Sequence, residues 1–227
     1  MLFLFLGTLT IIVQVHCDLL STIYASRQSN IILHPNSPKE ITHDEFSWYY
    51  KNMKKEKRIH EVTKSCTEDV SSTFAMKINF KCSTYSLQLT NLSKEDSGNY
   101  TAIYRNHSIM VQRIVYQLVV QDPVRNLTLV FDEHFRCNFM LNCSVHSGTD
   151  YTLKLQINGK IMSTSTGTYL KYLHSLSPGN KSSAVCTAVN KVNNITRNIS
   201  LKCNQENLQG SILYMLMTVM PILLYNL

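Results

Sequence analysis

The sequence predicts an all-β chain built as two sandwiches in tandem. Three observations carry that expectation. No sustained helical period runs between the two apolar ends. Short segments rich in Val, Ile, Tyr and Thr recur about every ten residues between turn residues. The rhythm breaks once, at QDPVRN (121–126), where Pro123 cannot donate to a strand ladder.

The first set of segments is SNIILH (29–34), EFSWYY (45–50), RIHEVT (58–63), AMKINF (75–80), YSLQLTNL (85–92), NYTAIY (99–104) and IVYQLVV (114–120). The second is FRCNFMLNCSV (135–145), YTLKLQI (151–157), TYLKYLHSL (168–176), SAVCTAV (183–189) and ITRNISLKC (195–203). Around them stand two apolar ends. MLFLFLGTLTIIVQVHC (1–17) reads as a secretory signal peptide. Residues 205–227 finish in an uncharged apolar run broken by Pro221. That run is short for a spanning helix, which wants roughly 20 residues. It predicts a GPI-anchor signal or, as the alternative, a short transmembrane anchor. The expected domains are therefore 18–121 and 122–204.

Seven Cys are present; Cys17 leaves with the signal, and an even six remain, as a disulfide framework needs. Asn-x-Ser/Thr acceptors begin at Asn91, Asn99, Asn106, Asn126, Asn142, Asn180, Asn194 and Asn198. Together these predict an extracellular glycoprotein, with glycans at those positions. The net charge of +7 comes from Lys and Arg scattered along the chain. A solvated surface accounts for it better than nucleic-acid binding does. The eight His are dispersed, and no Gly-x-Ser-x-Gly, His-Glu-x-x-His or phosphate loop occurs. No Cys-x-x-Cys pair suggests zinc. The expectation is a non-enzyme with no cofactor and no metal.

The segment LSKEDSGNYTAIY (92–104) carries the fold most clearly. Asp96-Ser97-Gly98-Asn99-Tyr100 has the form of the corner before strand F of an immunoglobulin domain. There the Tyr100 hydroxyl bonds back to the E–F backbone, and Asp96 is placed to pair with Lys77. Phe46, Trp48 and Tyr50 alternate onto one face, with Trp48 at the buried strand-C position. Cys normally follows the corner Tyr by two residues; here Ala102 stands instead. The strand-B position opposite it is also apolar, at Leu33. The expected first domain is thus an immunoglobulin-like sandwich without the B–F disulfide, its core packed around Trp48, Leu33, Ala102 and Leu118. The second reverses the pattern. Cys143 and Cys186 fit the B–F bridge, and Cys137 and Cys203 nest outside them as a second pair. Leu153 or Leu155 takes the Trp position and Ala184 the corner Tyr position. Cys66 and Cys82 form a local bridge, stay free or link chains.

These features, SNIILH, FSWYY, LTNLSKEDSGNYTA, LVVQDPV and the four later cysteines, resemble the SLAM family (signalling lymphocytic activation molecule) of leukocyte receptors. The likeness covers roughly residues 19–204 and is nearest to GPI-anchored ligands of that family. A vertebrate member and a virus-captured homologue fit it equally. It implies a V-like first domain without the B–F disulfide and a C2-like second domain with two disulfides, in an adhesion or ligand molecule that meets a leukocyte immunoglobulin-superfamily receptor in trans, with weak homophilic contact as a second expectation. A released decoy of the same fold is the alternative. The implied surface is the outer GFCC′ face of the first domain: Tyr49, Lys51, Arg58, His60, Ile103, Arg105, Arg113 and Val115. Strand alternation also turns these residues outward. The named cations predict an acidic partner face.

Overall fold

A computed structural model of the protein describes residues 19–35, 44–52, 56–62, 66, 77–134 and 137–204. The expected signal peptide and C-terminal anchor lie outside the described residues. The described residues divide into two compact units, one of 19–23 and 28–119, the other of 24–27 and 120–204.

In chain order the strands are β1 (Leu19–Ser26), β2 (Ile31–Leu33), β3 (Glu45–Lys51), β4 (Glu56–Val62), β5 (Ile78–Lys81), β6 (Ser86–Leu89), β7 (Gly98–Asn106) and β8 (Ile109–Gln121). There follow β9 (Arg125–His134), β10 (Asn138–Ser147), β11 (Thr152–Ile157), β12 (Lys160–Ser165), β13 (Tyr169–Ser175), β14 (Lys181–Val189) and β15 (Asn194–Lys202). The first unit pairs a five-stranded sheet, β1-β8-β7-β3-β4, with a three-stranded one, β2-β6-β5. The second pairs β9-β10-β13 with β12-β11-β14-β15.

The first core is aromatic. Phe46, Trp48 and Tyr50 point inward from β3 and are buried, and Leu33 and Ala102 are fully enclosed. The Phe46 ring lies 4.8 Å from those of both Tyr85 and Tyr104 and 6.2 Å from that of Phe80. The buried indole keeps its one polar group satisfied: Trp48 Nε1 donates to the Tyr85 carbonyl at 2.9 Å.

The corner is held by hydrogen bonds that its sequence supplies. Asp96 Oδ2 accepts from the Ser93 amide (2.7 Å), the Ser93 hydroxyl (2.9 Å) and Lys77 Nζ (3.0 Å). Tyr100 Oη donates to the Asp96 carbonyl at 2.9 Å, and Tyr50 Oη to the Glu95 carbonyl at 2.8 Å. Burial pushes both phenols above their ordinary pKa. Gly98 is required by close approach, because a Cβ there would stand 2.7 Å from the Lys51 carbonyl oxygen.

The second core is aliphatic. Leu127, Leu141, Leu153, Leu155 and Ala184 enclose Cys143 and Cys186. Cys143–Cys186 and Cys137–Cys203 are disulfides, with Cα atoms 6.3 and 5.4 Å apart. Cys66–Cys82 is a local bridge of the first unit, with Cα atoms 5.9 Å apart. Where Pro123 interrupts the ladder, side-chain amides take over. Asn193 both accepts from the Val124 amide (2.7 Å) and donates to its carbonyl (2.9 Å), and Asn190 Nδ2 donates to the Asp122 carbonyl (2.9 Å).

Three strands escaped the reading of the sequence: β1, β9 and β12. Each is an edge strand.

Candidate functional site

Register across β4, β3, β7 and β8 sets out the outer face of the five-stranded sheet as a grid. Glu45 stands beside Arg105 and Met110. The next row is Glu61, Ser47, Ile103 and Arg113, followed by Arg58, Tyr49, Thr101 and Val115. The last is Glu56, Lys51, Asn99 and Gln117. Six of the eight residues expected on this face occupy it as half-buried or exposed side chains: Tyr49, Lys51, Arg58, Ile103, Arg105 and Arg113.

Two residues depart from the expectation. His60 points inward and is 5% exposed, its ring 4.1 Å from that of Phe80. A β-bulge causes this. Trp48 pairs with His60, yet Tyr49 pairs with Arg58, so Ile59 is an extra residue and the alternation resets. Val115 does point outward but is 7% exposed. It lies on β8 between β7 and β1, so strands flank it on both sides. Its neighbour Thr101 is buried too.

The floor of the face is therefore neutral: Ser47, Thr101 and Val115. Ser47 has no exposure at all although it faces outward. Arg105 Nη1 lies 3.5 Å from its hydroxyl, and the Tyr49 side chain is also in hydrogen-bond contact with Arg105. The two large side chains thus meet above the small one.

The rim is charged, and its charges answer one another. Arg105 Nη1 lies 2.7 Å from Glu45 Oε1, Arg58 Nη1 is 2.7 Å from Glu61 Oε2, and Lys51 Nζ is 3.9 Å from Glu56 Oε2. Burial alone would lower the Arg105 pKa, but the hydrogen bond with Tyr49 and the Glu45 charge raise it. The charged residues expected on this face from the sequence are all cations. The structure sets a carboxylate beside three of them, so the face alternates in sign.

At one end of the grid the β7–β8 hairpin turns through His107 and Ser108, whose φ values are +48° and +65°. Positive φ at both central residues marks the type I′ turn that suits twisted strands. The His107 amide donates to the Asp44 carboxylate at 3.1 Å, tying the tip to the residue that precedes β3. The acceptor sequence at Asn106 sits on this tip, and Asn99 stands in the opposite end row. Among the described residues no cluster of three or more His, Cys, Asp or Glu is placed to hold a metal ion.

No protein-family model matches the chain, and no curated protein matches it. Solved structures do. A chain from the crystal structure of mouse coronavirus receptor-binding domain complexed with its murine receptor superposes with a TM-score of 0.60. The match covers 80% of this chain and 94% of that one at 16% identity. Murine CEACAM1b gives a TM-score of 0.55 over the same shares at 15% identity. Such identities speak for fold. The protein is an all-β chain of two tandem immunoglobulin-like sandwiches, the first without a disulfide between its B and F positions and the second with two disulfides.

Proposed function

We propose that this chain is an extracellular, membrane-anchored glycoprotein. It acts as an adhesion ligand for a leukocyte receptor of the SLAM type, through the outer face of its five-stranded sheet. The observation that carries the reading is the grid itself: a neutral floor of Ser47, Thr101 and Val115 inside a rim of Arg and Glu, with Tyr49 and Ile103 between. Central low-polarity contact ringed by charge is how protein interfaces are built, and Tyr and Arg are the usual anchors. The missing cross-sheet bridge beside a four-Cys second domain supports the family assignment.

The partner face must carry both signs, because Glu45, Glu56 and Glu61 interleave with the cations. A glycan at Asn99 would crowd the row of Lys51 and Gln117. A glycan at Asn106 would crowd the tip in the same way, so the contact centres on the middle rows, on Tyr49, Ile103 and Arg113.

The test presents the full glycosylated chain on cells to a panel of leukocyte immunoglobulin-superfamily receptors. Saturable binding by one receptor is expected. Arg113→Glu should weaken it at least tenfold, or about 1.4 kcal/mol, while Trp48 fluorescence reports an unchanged first unit. Unaltered binding by that folded variant would overturn the site.

A further inference from the structure

The outer face of the β9-β10-β13 sheet in the second unit has an unusual surface. Register places Thr128, Ser144 and Tyr169 in one row, Val130, Asn142 and Lys171 in the next, and Asp132, Met140 and Leu173 in the third. Their neighbours Leu129, Leu141, Cys143 and Leu170 point into the core, so these side chains point away from it. Val130, Tyr169 and Leu173 are 54%, 61% and 53% exposed, and Met140 is half-buried beside Leu173. An apolar strip in an open sheet invites association.

Asn142 occupies the middle of this face. Its amide oxygen is buried and has no hydrogen-bond partner, a costly state for a polar atom. The same residue opens the acceptor sequence Asn142-Cys143-Ser144. Directly opposed and diagonal neighbours in such a sheet lie within roughly 5–8 Å, a span that a sugar ring covers.

We propose that the N-linked glycan carried by Asn142 lies down on this face as a fixed part of the second unit. The apolar faces of its first sugar rings cover Val130, Met140 and Leu173. Its N-acetyl and hydroxyl groups supply the donor that the buried amide oxygen lacks. In the covalent step Asn142 Nδ2 loses one hydrogen and bonds C1 of the first N-acetylglucosamine. The diphosphate of the lipid-linked oligosaccharide donor leaves with the proton. The transfer meets the emerging chain before β10 is enclosed. The inference rests on the secretory-route part of the function proposed above and is independent of any receptor. Failure of the Arg113→Glu test would leave it standing.

The experiment uses the full-length chain expressed in animal cells. Site-resolved mass spectrometry should find Asn142 occupied. Asn142→Gln and Ser144→Ala each remove the acceptor sequence, and each should raise binding of a dye specific for apolar surfaces severalfold and promote self-association. Asn180→Gln removes another expected glycan of the same unit and should do neither. Adding Val130→Thr and Leu173→Thr to Asn142→Gln should return dye binding to the glycosylated level. An unoccupied Asn142 overturns the proposal. So does dye binding that is unchanged by loss of the glycan, or a rise that the threonine substitutions fail to reverse.

Discussion

At the centre of the first unit Leu33 and Ala102 hold the positions that Cys143 and Cys186 hold in the second. The first sandwich closes on rings packed around Phe46, with Trp48 edge-on, Phe80 stacked and Tyr104 tilted, and with hydroxyls bonded to the corner backbone. The second closes on Leu, Ile and Ala around two disulfides, with Phe139 its largest fully buried side chain. A cross-link mainly restricts the unfolded chain, whereas packed rings act in the folded state. One architecture can draw cohesion from either side of the folding equilibrium.

The contrast is open to direct tests. The largest expected effect is that of Trp48→Ala, which empties the middle of the first core and removes the donor to the Tyr85 carbonyl. It should cost the first unit about 3–5 kcal/mol and leave the calorimetric transition of the second in place. Next comes the double change Cys143→Ala with Cys186→Ala. It should cost the second unit about 2–5 kcal/mol, while Trp48 fluorescence, from the only Trp in the chain, shows the first unit melting as before. The smallest effect is that of Tyr100→Phe, about 1 kcal/mol at neutral pH for the lost bond to the Asp96 carbonyl.

That last variant also carries a pH signature. Burial raises the phenol pKa of Tyr50, Tyr100 and Tyr116 in the folded first unit. An unfolded Tyr ionises near pH 10, so the unfolded chain releases those protons first. The contribution is fully present below about pH 10 and is lost as pH rises above it. Alkaline titration followed by Trp48 fluorescence should show this loss, and Tyr100→Phe should make it shallower.

The sequence displayed what short-range pattern can display. Phe46, Trp48 and Tyr50 announce a buried face by alternation, and Asp96, Gly98 and Tyr100 announce a corner by spacing. Leu33 and Ala102 show the absent bridge by polarity alone. The missed strands lie at sheet edges, where KIMSTS of β12 is mostly exposed or half-buried and carries little alternation. The inward turn of His60 was hidden because a bulge is set by the pairing of β3 with β4. The ion pair of Glu45 with Arg105 joins residues 60 positions apart, and only register across β3 and β7 brings them together. Counting cations along the chain therefore gave a basic patch, whereas the folded sheet interleaves them with acids.

That interleaving reaches into kinetics. A surface that carries its own counterions casts little field beyond a Debye length. Under the proposed function, encounter with a receptor would then proceed at the unsteered rate of about 10⁵–10⁶ M⁻¹s⁻¹ and would vary little with ionic strength. Selectivity would arise after touch, from how closely two opposing patterns of sign can be brought into step.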